Sequence, residues 1–424
     1  MPEKPGQVRS VKGIRDLLPE ETHLWQRVEE SARAVFNAYN LQEIRTPVLE
    51  HTSLFARSVG ADTDIVSKEM FTFEDSDHES LTLRPEATAS VVRAYIEHNL
   101  YNEGGIHKLF YMGPMFRRER PQKGRFRQFY QIGAEALGST EPGTDAEMLE
   151  ILHVLTRERL GLRDVHLLLN SVGCSECRPR YVAALRQALE GVKQNLCVDC
   201  QRRAETNPLR VLDCKVEADQ PAINKLPQIL DYLCAECRQH LDEVKNGLDR
   251  RGIEYQITPR LVRGLDYYTR TTFEITSGTL GAQNALAGGG RYDGLAEALG
   301  GPRTPGFGFA IGEDRLVLAY EAVAGRGAGA NLIYIAWLEK TSLAAASDLA
   351  RELRQENQRV ELIYSPMKMK KSLAVANKLD ARFTVIVGPD EMESGRYQVK
   401  DMAAGQQEAV ERAKLGGYLR SKLG

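Results

Sequence analysis

No apolar run in the 424-residue chain approaches the ~20 residues that a membrane-spanning helix needs. The longest strongly apolar stretch is Leu332 to Leu338. The opening Met-Pro-Glu-Lys-Pro has no apolar core of the kind a signal peptide carries, so a cytoplasmic location with no membrane partner is expected. An excess of one charge is missing as well. Lys and Arg total 56 against 58 Asp and Glu, a formal charge of −2, which gives no global attraction to a polyanion, so any such partner must be met by a local patch. The chain has no internal repeat and no low-complexity tract, and 42% apolar content excludes a disordered or fibrous chain. A disulfide framework is excluded too, because seven cysteines is an odd number in a chain without a secretion signal.

At about 100–200 residues per domain, the length predicts roughly two to four domains. The clearest boundary is Ala324 to Ala330, Ala-Gly-Arg-Gly-Ala-Gly-Ala, too flexible and too poor in side chains to pack. It divides residues 1–325 from a module at 331–424. In that module strand candidates Leu332–Leu338, Val360–Tyr364 and Phe383–Val387 alternate with helical stretches Ser342–Glu356 and Leu373–Lys378. The alternation predicts a parallel sheet covered by helices. Upstream, strand signals at 108–116, 128–135, 165–171, 268–275 and 306–311 are interrupted by helical text at about 174–251. Within it Leu226, Leu230, Leu233, Cys237, Leu241, Val244 and Leu248 keep one helical face, which predicts an amphipathic helix.

The local patch lies between Phe116 and Arg127. Arg117, Arg118, Arg120, Lys123, Arg125 and Arg127 face one acid, Glu119, and Pro121 and Gly124 make the segment a loop between antiparallel strands. A charge run is usually a solvated surface, but the planar fork of arginine suits bidentate phosphate recognition. In the next strand, alternation puts Phe129, Gln131, Gly133 and Glu135 on one face and Tyr130, Ile132 and Ala134 on the other. Leu81 to Ser90 passes through Pro85 into a helix, placing Glu86 and Thr88 near its start. An acid there either complements the helix dipole or pairs with a substrate ammonium. Arg263 precedes a glycine and the adjacent Tyr267 and Tyr268; Gly288-Gly-Gly reads as a glycine turn; Gly306 to Leu316 reads as a strand of small residues entering a helix that carries Arg315.

Phe116 to Phe129 resembles motif 2 of the class II aminoacyl-tRNA synthetases and Gly306 to Leu316 resembles motif 3. Leu261 to Tyr268 is similar to the histidine-specific segment of the histidyl-tRNA synthetase family, and Lys12 to Pro19 and the motif 1-like Arg45 to Glu50 extend the likeness. The resemblance implies an α+β catalytic core, an antiparallel sheet flanked by helices with a helical insertion, and a C-terminal α/β anticodon-binding domain. It also implies a homodimer built around the motif 1 region, activation of L-histidine by ATP with Mg2+, and transfer to the 3′ end of tRNA(His). By the same resemblance Glu86, Thr88 and Gln131 hold the amino-acid end and Glu135 and Tyr268, with Tyr267 beside them, grip the imidazole. Arg117 binds the α-phosphate, Arg125 the outer phosphates, and Arg315 stacks on adenine opposite Phe129. Arg117 and Arg263 are the implied catalytic cations, and Arg120, Gln122, Lys368, Lys370 and Lys371 are candidate tRNA contacts. Departures are few: Ala87, Tyr130 and Asp314 stand where the family usually has glycine, histidine and glutamate.

The rival within the resemblance is the non-catalytic regulatory subunit of ATP phosphoribosyltransferase, which usually lacks the last module and erodes the arginines kept here. A second rival, a zinc-stabilised nucleic-acid-binding protein, rests on the cysteines. All seven fall in the insertion, six as Cys174/Cys177, Cys197/Cys200 and Cys234/Cys237. Paired Cys-x-x-Cys ligands suit tetrahedral zinc, with Cys174, Cys177, Cys234 and Cys237 the leading set. Cys237 also sits on the apolar stripe, where a buried free thiol is equally at home.

Overall fold

The computed structural model describes residues 8–423 apart from 61, 62, 64, 123, 266 and 326–330. It divides into compact units Met1–Gly325 and Arg326–Gly424. The Met-Pro-Glu-Lys-Pro opening, Lys123 and most of the glycine-rich boundary lie outside the described residues.

The first unit contains β1 (Gln42–Glu43), β2 (Leu49–His51), β3 (Phe71–Glu74), β4 (Ser80–Leu83), β5 (His107–Phe116), β6 (Gln128–Leu137), β7 (Val165–Ser171), β8 (Gln256–Ile257), β9 (Thr269–Ser277), β10 (Ala285–Arg291) and β11 (Gly306–Gly312). Eight of these form one sheet in the order β1-β5-β6-β11-β10-β9-β7-β8, and β2-β4-β3 form a small second sheet. The inner strands are antiparallel as expected, while the two-residue edge strands β1 and β8 pair parallel and make the sheet mixed. Strands β5 and β6 pair along their whole length to Phe116 opposite Gln128, so the basic segment is a hairpin loop.

One face of this sheet is closed by the helix Pro19–Ala38. Proline in its first turn and Glu20 and Glu21 beside it suit a helix start, and Leu24, Trp25, Val28, Ala32, Val35 and Phe36 form its buried stripe. Phe36 lies 4.9 Å from Phe110 of β5, and Trp25 meets Tyr130 of β6 edge-on at 5.3 Å. Burying each large apolar side chain contributes about 1.5–3 kcal/mol. The packing leaves the opposite face of β6 and β11 free for chemistry.

Two local expectations are corrected. Gly288, Gly289 and Gly290 do not form a turn but the middle of β10, between β9 and β11. A Cβ on Gly289 would stand 2.1 Å from the carbonyl oxygen of Gly308, so the close approach that glycine permits is to a neighbouring strand. The helix expected from Leu226 begins only at Ala235 and runs to Arg250. Ile229–Tyr232 is a separate 3-10 turn. The chain is extended at Cys234, whose N–H donates to Cys177 Sγ at 3.0 Å instead of joining a helical ladder. The apolar spacing persists across the break because Leu226, Ile229, Leu233, Cys237 and Leu241 all enter one core.

That core also contains residues of the sheet, so the helices between β7 and β8 share their burial with the catalytic layer. A buried polar junction reinforces the join. Arg291 at the end of β10 is fully enclosed and pairs with the equally enclosed Asp145 of the helix Pro142–His153. Its Nη1 donates to the Ser139 carbonyl at 2.7 Å and pairs with Asp293 at 2.9 Å. His240, from the helix Ala235–Arg250, lies 2.8 Å from the other Asp145 oxygen.

The second unit has β12 (Leu332–Trp337), β13 (Arg359–Leu362), β14 (Phe383–Val387), β15 (Arg396–Asp401) and β16 (Gln407–Glu411) in the order β13-β12-β14-β15-β16. The first three are parallel as expected; β15 and β16 add an antiparallel hairpin that makes this sheet mixed too. Their exposed, charged alternation, Arg-Tyr-Gln-Val-Lys-Asp and Gln-Glu-Ala-Val-Glu, conceals a strand in which only Tyr397, Val399 and Val410 turn inward.

Asp145→Ala leaves the Arg291 cation buried without its main partner. It is expected to destabilise the first unit by about 3–5 kcal/mol, read as a lower denaturation midpoint for its unfolding; an unchanged midpoint would show the pair to be dispensable.

Candidate active site

A cavity of about 240 Å3 opens above β6, β10 and β11 in the first unit. Its floor is built by alternation. On β11 Phe307 and Ile311 enter the core while Gly308, Ala310 and Gly312 face the cavity, and on β6 Phe129 and Gln131 do the same. Small residues on this strand therefore make room for the cavity.

The amino-acid-binding set comes together at one end. The Glu86 carboxylate accepts from the N–H groups of Thr88 and Ala89 at 2.8 and 3.0 Å, at the start of the helix Thr88–Glu97. Glu86 thus serves as the acid at a helix start, and it also lines the cavity. Burial raises its pKa and the two N–H donors oppose that rise. Gln131 lines the cavity with a buried Oε1 that has no hydrogen-bond partner. A buried acceptor left unmade costs roughly 1–3 kcal/mol, so the atom is poised for a donor such as an ammonium.

Glu135 is placed differently from its face-mates. It is completely buried just behind the cavity wall, with Thr88 Oγ1 donating at 2.7 Å, Tyr111 OH at 3.5 Å, and Tyr292 OH in close contact. Gly308 forms part of the wall, and its missing Cβ is what leaves space for Glu135 Oε2. Burial pushes this carboxyl up to about 8, opposed by the Tyr292 and Thr88 hydroxyls, so it is mostly protonated at neutral pH. Tyr267 and Tyr268 line the same end, their rings 4.7 Å apart, with Tyr267 edge-on to Tyr292 at 5.7 Å. Tyr292 and Tyr111 were not singled out from sequence. Tyr292 follows the glycine triplet, and the turn reading removed it from any strand face; Tyr111 alternates with core residues on β5, where an inward tyrosine looks like packing.

The cations occupy the other end. Arg263 pairs with Glu274 of β9 at 2.5 Å. A Cβ on Gly288 would lie 2.1 Å from its Nη2, so the guanidinium lies directly on the bare backbone of β10. Arg117 donates to the Pro85 carbonyl at 2.9 Å and covers the Phe129 ring at 5.2 Å. Arg125 pairs closely with Glu119, the loop's single acid. Arg315 donates to the Gly124 and Ala285 carbonyls at 3.2 and 2.7 Å. Burial and the neighbouring Arg125 and Arg117 charges hold its pKa below the usual arginine range. Four guanidiniums around one cavity repel each other and would be relieved by a polyanion. Arg127 is diverted, donating to backbone carbonyls of Glu119 and Lys12. Arg84, which sequence reading passed over, ties the Thr46 and Pro114 carbonyls together at 2.9 and 3.0 Å and so fixes the motif 1-like segment to β5.

The insertion cysteines form two groups. Cys174, Cys177, Cys234 and Cys237 bring their sulfurs together, and so do Cys197, Cys200 and Cys214 with a carboxylate oxygen of Asp219; within each group the ligand atoms lie within 4.8 Å of one another.

Residues 13–316 match the family described as Histidyl-tRNA synthetase, and residues 332–422 match the Anticodon binding domain family. The chain is 56% identical to the histidine–tRNA ligase of Solibacter usitatus, over 97% of this chain and 99% of that protein. It is 55% identical to the histidine–tRNA ligase of Koribacter versatilis, over 98% and 96%. The crystal structure of apo histidyl-tRNA synthetase from S. aureus superposes with a TM-score of 0.79 at 36% identity, covering 98% of this chain and all of that one. On both the family match and these near-full-length likenesses, the chain belongs to the histidyl-tRNA synthetase family of class II aminoacyl-tRNA synthetases.

Proposed function

We infer that this chain is a histidine–tRNA ligase that activates L-histidine with ATP and transfers it to tRNA(His). The observation that carries this reading is one cavity with an acid-and-amide end and a four-arginine end, matched to an amino acid and a nucleoside triphosphate. The non-catalytic rival has no comparable support, because Arg263, the loop arginines and the second unit are all retained.

In the proposed first step, a carboxylate oxygen of histidine attacks the α-phosphorus of ATP. The new O–P bond forms as the bond to the β-phosphate oxygen breaks, releasing pyrophosphate. Glu86, Thr88 and Gln131 hold the amino-acid end, and the free Oε1 of Gln131 accepts from the ammonium. Arg263 and Arg117 stabilise the charge growing on the α-phosphate oxygens, and Arg125 holds the outer phosphates, which ATP brings with Mg2+. Adenine enters between Arg315 and Phe129, displacing Arg117 from the ring it covers here and freeing it for phosphate. Positioning and electrostatics supply the catalysis. In the second step a hydroxyl at the tRNA 3′ end attacks the histidyl carbonyl and AMP leaves.

Glu135 and Tyr268 take the two imidazole nitrogens. The protonated Glu135 carboxyl donates to the bare ring nitrogen while the ring N–H donates to the Tyr268 hydroxyl, and a site built to satisfy both nitrogens leaves its own buried groups unpaired with any other amino acid. Tyr292 and Tyr111 hold the carboxyl in place from behind.

The tRNA is met by exposed Arg120 and Gln122 on the hairpin loop and by exposed Lys368, Lys370 and Lys371 in the second unit, which we take as the anticodon-binding domain. A homodimer covers Val48, Leu49 and Phe73, large apolar side chains 37–46% exposed on and beside the small sheet. Structural zinc sits in the Cys174–Cys177–Cys234–Cys237 group. Its sulfur separations of 3.6 and 4.0 Å bracket the about 3.8 Å edge of a tetrahedron with Zn–S of about 2.3 Å.

ATP–pyrophosphate exchange measured with each amino acid in turn is expected with histidine alone; exchange with none would sink the reading. Arg263→Ala is expected to lower the rate about 100–1,000-fold. Gly288→Ala should fall in the same direction in a folded protein, because the new methyl group occupies the place of the guanidinium. Full activity in both variants would remove Arg263 from the mechanism. For Glu135, the sign follows from its proton. Below the free imidazole pKa of about 6.5 both partners are protonated, and above about 8 neither is. Histidine KM should therefore be lowest between these limits, and Glu135→Gln should raise it about tenfold or more and abolish its alkaline rise; an unaltered profile would exclude Glu135 from imidazole binding. In sedimentation, wild type is expected to run as a dimer and Leu49→Glu as a monomer, and a monomeric wild type would refute the interface.

A further inference from the structure

The second cysteine group has a composition that sequence spacing did not reveal. Cys197 caps the helix Val198–Thr206 and Cys200 lies one turn inside it. Cys214 ends the 3-10 turn Pro208–Asp213, and Asp219 caps the short helix Gln220–Ile223. Three separate pieces of backbone thus bring three sulfurs and one carboxylate oxygen to one point. Cys200, Cys214 and Asp219 are buried, and Asp219 is 2% exposed.

The immediate surroundings fit a cation and little else. Asp219 accepts from the Cys197 N–H at 3.1 Å, and the Cys214 thiol lies 3.2 Å from its Oδ2. Among the described residues no lysine, arginine or histidine forms an ion pair with it. An enclosed carboxylate without a cation is costly to bury. Cys197 and Cys214 sulfurs are 3.9 Å apart, far beyond the ~2.05 Å of a disulfide and close to the about 3.8 Å edge of a tetrahedral zinc–thiolate site. The Val216 N–H points at Cys214 Sγ at 3.4 Å, a donor that stabilises a coordinated thiolate through its outer contacts.

We propose that Cys197, Cys200, Cys214 and Asp219 bind a second structural Zn2+, distinct from the four-cysteine group and independent of it. Three soft thiolates and one carboxylate oxygen select zinc over hard cations, and the 3.9 Å sulfur separation suits a tetrahedral site. With no open position the site is closed and structural. The metal joins the Val198–Thr206 helix to the Pro208–Asp213 turn, and that turn reaches the catalytic unit's substrate loop: Arg210 Nη2 contacts the Gly264 carbonyl at 3.4 Å, next to Arg263. Arg260 meanwhile donates to the Leu212 carbonyl at 3.2 Å.

The test is elemental analysis of the purified full chain after dialysis. Wild type should hold two zinc ions per chain, one for each group. Cys214→Ser and Asp219→Ala should each lose one, Cys177→Ser should lose the other, and Asp219→Cys should keep both. Asp219→Cys guards against misfolding as the cause, since it restores a ligand without restoring the carboxylate. In the cobalt-substituted protein, thiolate-to-metal absorbance should fall in Cys214→Ser and rise in Asp219→Cys. One zinc that vanishes with Cys177→Ser but not with Asp219→Ala or Cys214→Ser would overturn the second site and leave the first. One zinc showing the reverse dependence would support the second site alone. Iron in place of zinc would overturn the assignment of the metal.

Discussion

The close approach of β10 to its neighbours is the constraint on which the rest of the catalytic unit depends. With a side chain at Gly289 the backbones of β10 and β11 could not meet, and with one at Gly288 the guanidinium of Arg263 could not lie on the strand. The same strand ends in Arg291, enclosed and bonded to Asp145. Sheet closure, placement of the distinctive cation and attachment of the flanking helix thus all pass through seven residues. Glycine strands lose more conformational entropy on folding than most, and here the loss is offset by contacts that no larger residue would allow.

Electrostatics divides the cavity into two unlike ends. At one end carboxyls at Glu86 and Glu135 are held by N–H and hydroxyl donors, with no ion pair to either among the described residues, and burial raises both pKa values. At the other, Arg117 and Arg315 are oriented by backbone carbonyls, while Arg263 and Arg125 are held by Glu274 and Glu119, two acids for four guanidiniums. Each end is organised for the charge that its ligand brings. That is the arrangement in which fixed groups stabilise developing charge without having to reorganise.

Much of this was legible in the chain itself. Glu86, Thr88, Arg117, Arg125, Phe129, Gln131, Arg263, Tyr267, Tyr268 and Arg315 all line the cavity, because strand alternation and helix starts are local properties that residue order displays. What failed was non-local. Gly288 to Gly290 look like a turn unless one knows that Arg263 and β11 press on them. Tyr111 looks like core until Glu135 is seen beside it, and Tyr292 belongs to no strand face while the glycines before it read as a turn. The helix at Ala235 was extended backward because one apolar core receives side chains from a turn and a helix at matching intervals. β15 and β16 were missed because a sheet edge needs few inward residues and tolerates charge elsewhere. Asp219 could not be joined to three cysteines by spacing, since an acid at a short helix start is ordinary.

The helices between β7 and β8 interrupt the sheet in sequence but not in energy. His240 stands on one of them and touches Asp145, the acid that also neutralises Arg291, and their apolar side chains are continuous with those under the strands. For a protein engineer this means that the insertion has no clean seam. Trimming it to a short linker would remove part of the wall around a buried ion pair, so the smallest workable catalytic fragment of this chain must still contain the segment that looks most expendable.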